Sequence, residues 1–75
     1  MVKFIVDGML GSLARKLRIY GFDVLYKAEI LDERILAIAK DEDRIILTSD
    51  KGLHSKAILN ELKSVLLSED KEEDR

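Results

Sequence analysis

Apolar residues along this chain come in short unbroken runs, separated by stretches where they recur every three or four positions. Residues 2–6 (VKFIV), interrupted only by Lys3, predict a buried strand. Past Gly8, Leu10, Leu13, Ala14 and Leu17 recur at helical spacing, with Ser12, Arg15, Lys16 and Arg18 on the other face. Gly21 supplies a left-handed stop, and residues 22–26 (FDVLY) read as a second strand. Asp32 is placed to cap a second helix, with Leu31 and Leu36 as its hydrophobic staple and Leu31, Ile35, Ile38 and Ala39 on its buried face. Residues 41–44 (DEDR) should break that helix, because acids are unfavourable at a helix C-terminus. A third strand at residues 44–48 (RIILT) follows. Ser49 and Asp50 then open a third helix with Leu53, Ala57, Ile58 and Leu62 as its stripe, and residues 63–67 (KSVLL) form a fourth strand. Residues 69–75 are expected to be an acidic tail outside a single domain spanning 1–68, since they offer no apolar side chain for packing.

The order β-α-β-α-β-α-β predicts an α/β fold: a four-stranded parallel sheet covered by helices on both faces. Crossovers in such sheets are right-handed, and ligands bind beyond the carboxyl ends of the strands where the strand order reverses. For the common order 2-1-3-4 that point lies between the first and third strands.

Composition narrows the partners. A chain of 75 residues buries only about 60–65% of its unfolded surface, so stability is marginal and self-association into a homodimer is expected. There are no cysteines, which excludes disulfides and thiolate zinc sites and is compatible with a cytoplasmic location. No apolar run approaches the roughly 20 residues of a membrane span, and the start is too soon charged for a signal peptide. The net charge of -2 gives no global pull on nucleic acid, so any such binding needs a local patch. Of four aromatics, Phe4, Tyr20, Phe22 and Tyr26, at least two are expected to be buried, leaving little for base stacking.

Acidic residues then acquire a pattern. Asp7 closes the first strand, Asp50 follows the third, Asp32 begins the helix after the second, and Glu69 and Asp70 follow the fourth. All are expected at one edge of the sheet. Clustered carboxylates repel, and a hard divalent cation such as Mg²⁺ or Mn²⁺ relieves that cost while engaging a substrate phosphate. The chemistry this supports is metal-assisted hydrolysis of a nucleic-acid backbone. The same positions also suit plain structural roles: Asp7, Asp32 and Asp50 as helix caps, Glu69 and Asp70 as a solvated tail. Thr48 and Ser49 are strand-end hydroxyls able to orient a metal water or a phosphate oxygen. His54 lies one turn past Asp50 and either approaches the crevice or sits exposed on its helix. Arg15, Lys16 and Arg18 form either a solvated helix face or a phosphate-contacting patch.

The stretches FIVDGMLGSLARKLRIYGFDV and LDERILAIAKDEDRIILTSDKGL resemble the PIN-like Mut7-C RNase domain family over roughly residues 3–70. The resemblance is carried by V-D-G-M-L-G, by L-A-R and L-R, by D-E-x-x-L-x-I-A and by L-T-x-D. It implies a small three-layer PIN-like fold and a metal-dependent ribonuclease acting on RNA. Asp7, Asp32 and Asp50 fall on the family's acidic positions, with Glu33 as an alternative to Asp32 and Asp70 as a fourth acid. Arg15 and Arg18 match its first-helix basic positions. Lys16 stands where an aromatic is common and Ser49 where arginine is frequent; the four-cysteine zinc ribbon that usually follows has no counterpart here.

Three functional classes therefore enter: a PIN-like endoribonuclease, a catalytically weak PIN-like module binding RNA or a protein partner such as an antitoxin, and a phosphoacceptor receiver-like domain. The last lacks a pair of adjacent acids after the first strand.

Overall fold

A computed structural model describes residues 2–68. The elements run β1 (Lys3–Val6), α1 (Gly11–Ile19), β2 (Asp23–Tyr26), α2 (Asp32–Glu42), β3 (Ile45–Thr48), α3 (Lys51–Leu59) and β4 (Ser64–Leu66). The four strands form one sheet in the order β2-β1-β3-β4, with every pair parallel. Expected elements are all present, and the strands are shorter by a residue at one or both ends.

Handedness follows from the order. The step from β1 to β2 goes one way across the sheet, and those from β2 to β3 and β3 to β4 go the other. Right-handed crossovers therefore put α1 on one face and both α2 and α3 on the opposite one. The two core clusters agree. Ile5 and Ile46 pack with Ile35 and Ala39 of α2 and Leu53 and Ala57 of α3, whereas Val6 and Leu47 pack with Ala14 of α1. Alternate residues of each strand thus feed opposite layers, as the period of two requires. The result is a three-layer α/β domain.

Several local expectations are corrected. Asp32 is the first helical residue of α2 rather than its cap; Leu31 occupies the cap position, and no side chain bonds there. Leu31 is consequently 70% exposed instead of buried, and Ile30 packs on the cluster that holds Ile35. The stretch 41–44 does end α2, as expected, with the helix running through Glu42 and stopping at Asp43 in the left-handed region, φ 55°. Aspartate tolerates that conformation better than most side chains. Ile58 of α3 is exposed rather than part of the stripe, and no aromatic is fully buried, although Phe4 and Phe22 meet edge to face at 5.5 Å. Gly21 does provide the left-handed stop, at φ 92°, with its N–H on the Arg18 carbonyl.

The amino edge of the sheet is held by Arg44. Its Nη1 donates to the Phe4 carbonyl at 2.9 Å and to Asp23 Oδ1 at 3.0 Å, and its Nε to Glu42 Oε1 at 2.7 Å. One guanidinium so ties β1, β2 and the end of α2. Partial burial pushes its pKa down, but the bonds to Glu42 and Asp23 and their charges outweigh this, and the group ends above its ordinary value.

Candidate functional site

At the carboxyl edge, β1 and β3 lie side by side, and the chain leaves them in opposite directions across the sheet. This is the switch point of the fold. The Asp7 N–H continues the ladder to the Leu47 carbonyl at 3.0 Å, which sets Asp7 beside Thr48. Both residues share the strand phase of Ile5 and Ile46, so their side chains point towards the α2–α3 layer. Thr48 is 0% exposed, and its hydroxyl donates to Asp7 Oδ2 at 2.8 Å. Thr48 Oγ1 in turn accepts the Asp50 N–H at 3.0 Å. A single buried hydroxyl thus links the acid of β1 to the acid that follows β3.

The two acids differ in what else they do. Asp7 is not a cap: α1 starts at Gly11 behind Leu10, and no side chain bonds its first turn. Asp50 is the N-cap of α3, its Oδ1 accepting from the N–H groups of Gly52 at 2.8 Å and Leu53 at 3.4 Å. Both cap bonds use Oδ1, so Oδ2 lies outside the cap.

Asp32 is held elsewhere, its Oδ2 lying 3.7 Å from Lys56 Nζ on α3. Among the described residues, no three acidic or histidine side chains come close enough to hold one metal ion together. Asp70 lies outside the described residues. His54 turns along the sheet, its Nδ1 2.7 Å from Ser64 Oγ on β4. Ser49 is half-buried beside Thr48, and Arg15 is exposed on α1. Because α1 runs away from the rim where β1 ends, Arg18 in its last turn sits at the far edge. Its guanidinium there rests on the Val24 carbonyl at 3.3 and 3.4 Å.

Parts of the frame lie beyond the reach of local sequence signals. The Tyr26 hydroxyl donates to the Gly8 carbonyl at 2.8 Å, anchoring the turn directly after Asp7 to the end of β2. A Cβ on Gly8 would lie 2.3 Å from the Ala28 carbonyl oxygen, so the loops after β1 and β2 touch backbone to backbone. Gly8, adjacent to an acid at a strand end, was the only hint of that close approach.

The donors at the switch point are hard oxygens: two carboxylates and, next to them, hydroxyls. That set suits Mg²⁺ or Mn²⁺, which need only one or two carboxylates when waters and substrate phosphate complete the shell. The fold and the acid-bearing rim define a small α/β domain of the kind that binds ligand at a strand-order reversal. A model of the Mut7-C RNAse domain matches residues 2–75, and the chain belongs to that family. No curated protein and no solved structure matches it significantly.

Proposed function

We propose that the protein is a PIN-like, metal-dependent endoribonuclease whose centre is the Asp7–Thr48–Asp50 constellation. The observation that carries this reading is the buried Thr48 hydroxyl bonded to Asp7 Oδ2 at 2.8 Å at the switch point; membership of an RNase domain family supports it. A carboxylate taken up by neither a cap nor an ion pair, and fixed by a hydroxyl from the neighbouring strand, is what a ligand position needs. Mg²⁺ or Mn²⁺, held by Asp7 and Asp50, would supply an activated water and charge stabilisation at the phosphodiester. Thr48 orients Asp7, and the cap bonds orient Asp50. Asp32, or Glu33 beside it, is the third acid; its ion pair with Lys56 is exposed and costs under about 1 kcal/mol to open. Asp70 is assigned as a fourth acid. Ser49 serves a phosphate oxygen, and Arg15 and Arg18 steer the RNA backbone, Arg18 after leaving its long bonds to Val24. The assay is cleavage of single-stranded RNA with Mn²⁺ or Mg²⁺ by wild type and Asp7→Asn. Cleavage that Asp7→Asn abolishes supports the reading; equal activity in both, or none in wild type at any metal concentration, removes it.

One observation favours a second reading. Three acids do not converge among the described residues, which suits a module that binds RNA, or a protein partner of antitoxin type, without cutting. RNA binding that survives loss of Asp7, Asp32 and Asp50 together, with no cleavage, selects it. A homodimer belongs to either reading and is read from solution mass.

A further inference from the structure

Two helices cover four strands on the α2–α3 face, and the edge strand is left over. α2 packs against β1 and β3, while α1 takes β2 from the opposite side. The α2-side flank of β2 is therefore a groove of about 850 Å³. Leu25, Ala37 and Ile38 line it, and Lys27, Arg34 and Lys40 stand along it. Its charge is inverted relative to the chain. Among the described residues, the ion pairs are those of Arg44 and Lys56, so none of these three lining cations is in one. Of the two acids that line the groove, Asp41 and Glu42, the second pairs at 2.7 Å with Arg44, which it shares with Asp23. Three cations against two acids leave the lining at +1, in a chain of net charge -2.

The groove also leads to the rim. Lys27 directly follows Tyr26, whose hydroxyl holds the Gly8 carbonyl next to Asp7. α2 begins at that rim and runs away from it, so Arg34 comes near its start and Lys40 about 9 Å further along the axis. We infer that this groove is a backbone-binding path for single-stranded RNA, carrying the strand from the Asp7–Asp50 rim along the flank of α2. Lys27, Arg34 and Lys40 each take a phosphate, and the apolar floor accepts sugars and bases without selecting sequence. The inference rests on the RNA-directed reading above, and it adds α2 and the end of β2 to the substrate contacts proposed there.

The test is the binding of a fluorescent oligouridine, followed by anisotropy in EDTA so that no strand is cut. Salt is varied, and Lys27→Ala/Arg34→Ala/Lys40→Ala is compared with a charge-matched Lys3→Ala/Lys16→Ala/Lys63→Ala control. Single-stranded contacts contribute about 0.7 each to the log–log salt slope. The groove variant should lower the slope by about 2 and the affinity at 0.1 M salt roughly 100-fold, well beyond the control. Circular dichroism checks folding; if the triple variant unfolds, Arg34→Ala alone should lower the slope by about 0.7. Equal losses in both triples, or no RNA binding by wild type, overturn the path. Unchanged RNA affinity with an altered solution mass overturns it in favour of an interface between copies along β2. Binding lost in the groove variant while wild type never cleaves leaves the path standing and removes the nuclease; the converse result removes only the path.

Discussion

Thr48 holds Asp7 across the gap between two parallel strands: Oγ1 to Oδ2 is 2.8 Å, and the residues are 41 apart in sequence. The hydroxyl works in both directions, donating to Asp7 and accepting from the Asp50 amide. It is also fully buried, so water does not replace it. Thr48→Val keeps the shape and deletes both bonds. We expect a loss of about 1–3 kcal/mol in urea unfolding, together with impaired metal-dependent cleavage. Thr48→Ser should restore both within about 1 kcal/mol. A valine variant as stable and active as wild type would deny the hydroxyl any part in placing the acid.

Asp50 carries two roles that substitution can separate. Its Oδ1 caps α3 through Gly52 and Leu53, and asparagine caps about as well as aspartate. Asp50→Asn should therefore leave the melting temperature nearly unchanged while lowering RNA cleavage by at least roughly 10–100-fold. Asp50→Ala should lose about 1 kcal/mol of stability as well. If the asparagine variant cleaves normally, Asp50 is a cap and nothing more.

The parallel sheet and its covering helices were legible because they depend on patterns each segment carries by itself. Apolar runs and helical spacing lead to the α/β layers, while the order 2-1-3-4 is simply the common one for such sheets and is the one observed, with the reversal between β1 and β3. Errors came where one residue of phase matters. An aspartate before an amphipathic run suits a cap position and a first-turn position alike, and α2 takes the latter, which carries Leu31 out to solvent. The contacts that shape the rim join residues far apart, Tyr26 with Gly8 and Thr48 with Asp7, and no periodicity announces such pairs. Thr48 was recognisable as a strand-end hydroxyl, but its partner was not. Nor could spacing reveal that Asp32 faces Lys56, since that depends on how α2 and α3 lie together.

Gly8 is constrained by space. A Cβ there would meet the Ala28 carbonyl oxygen at 2.3 Å and the Lys27 carbonyl oxygen at 3.3 Å, both of them backbone atoms that no rotamer change can move. Gly8→Ala must push the loops after β1 and β2 apart, at a cost of about 1–3 kcal/mol, and shift Asp7 with them. Gly21→Ala provides the contrast. Its Cβ meets nothing within 4 Å, so only the positive φ of 92° is penalised, by about 1–2 kcal/mol. Both variants should melt earlier, but only Gly8→Ala should also reduce cleavage per folded molecule. Equal specific activity in the two would show that the loop contact does not position the acid.

Arg44 tests whether the far edge of the sheet stabilises the fold independently of the rim. Arg44→Met keeps most of the apolar stem but strips the Phe4 carbonyl, Asp23 and Glu42 of their shared donor. Both acids are partly exposed and recover water, so the expected loss is modest, about 1–2 kcal/mol in urea unfolding. Its pH behaviour follows from the raised pKa. A cation whose folded value lies above its unfolded one contributes fully below the unfolded value, and that contribution fades only as pH climbs through the folded one. For a guanidinium this lies above the working range. The stability gap between wild type and Arg44→Met should hence stay flat as pH rises from about 7 to about 10. A gap that closes over that interval would mean that a group other than the guanidinium governs this edge.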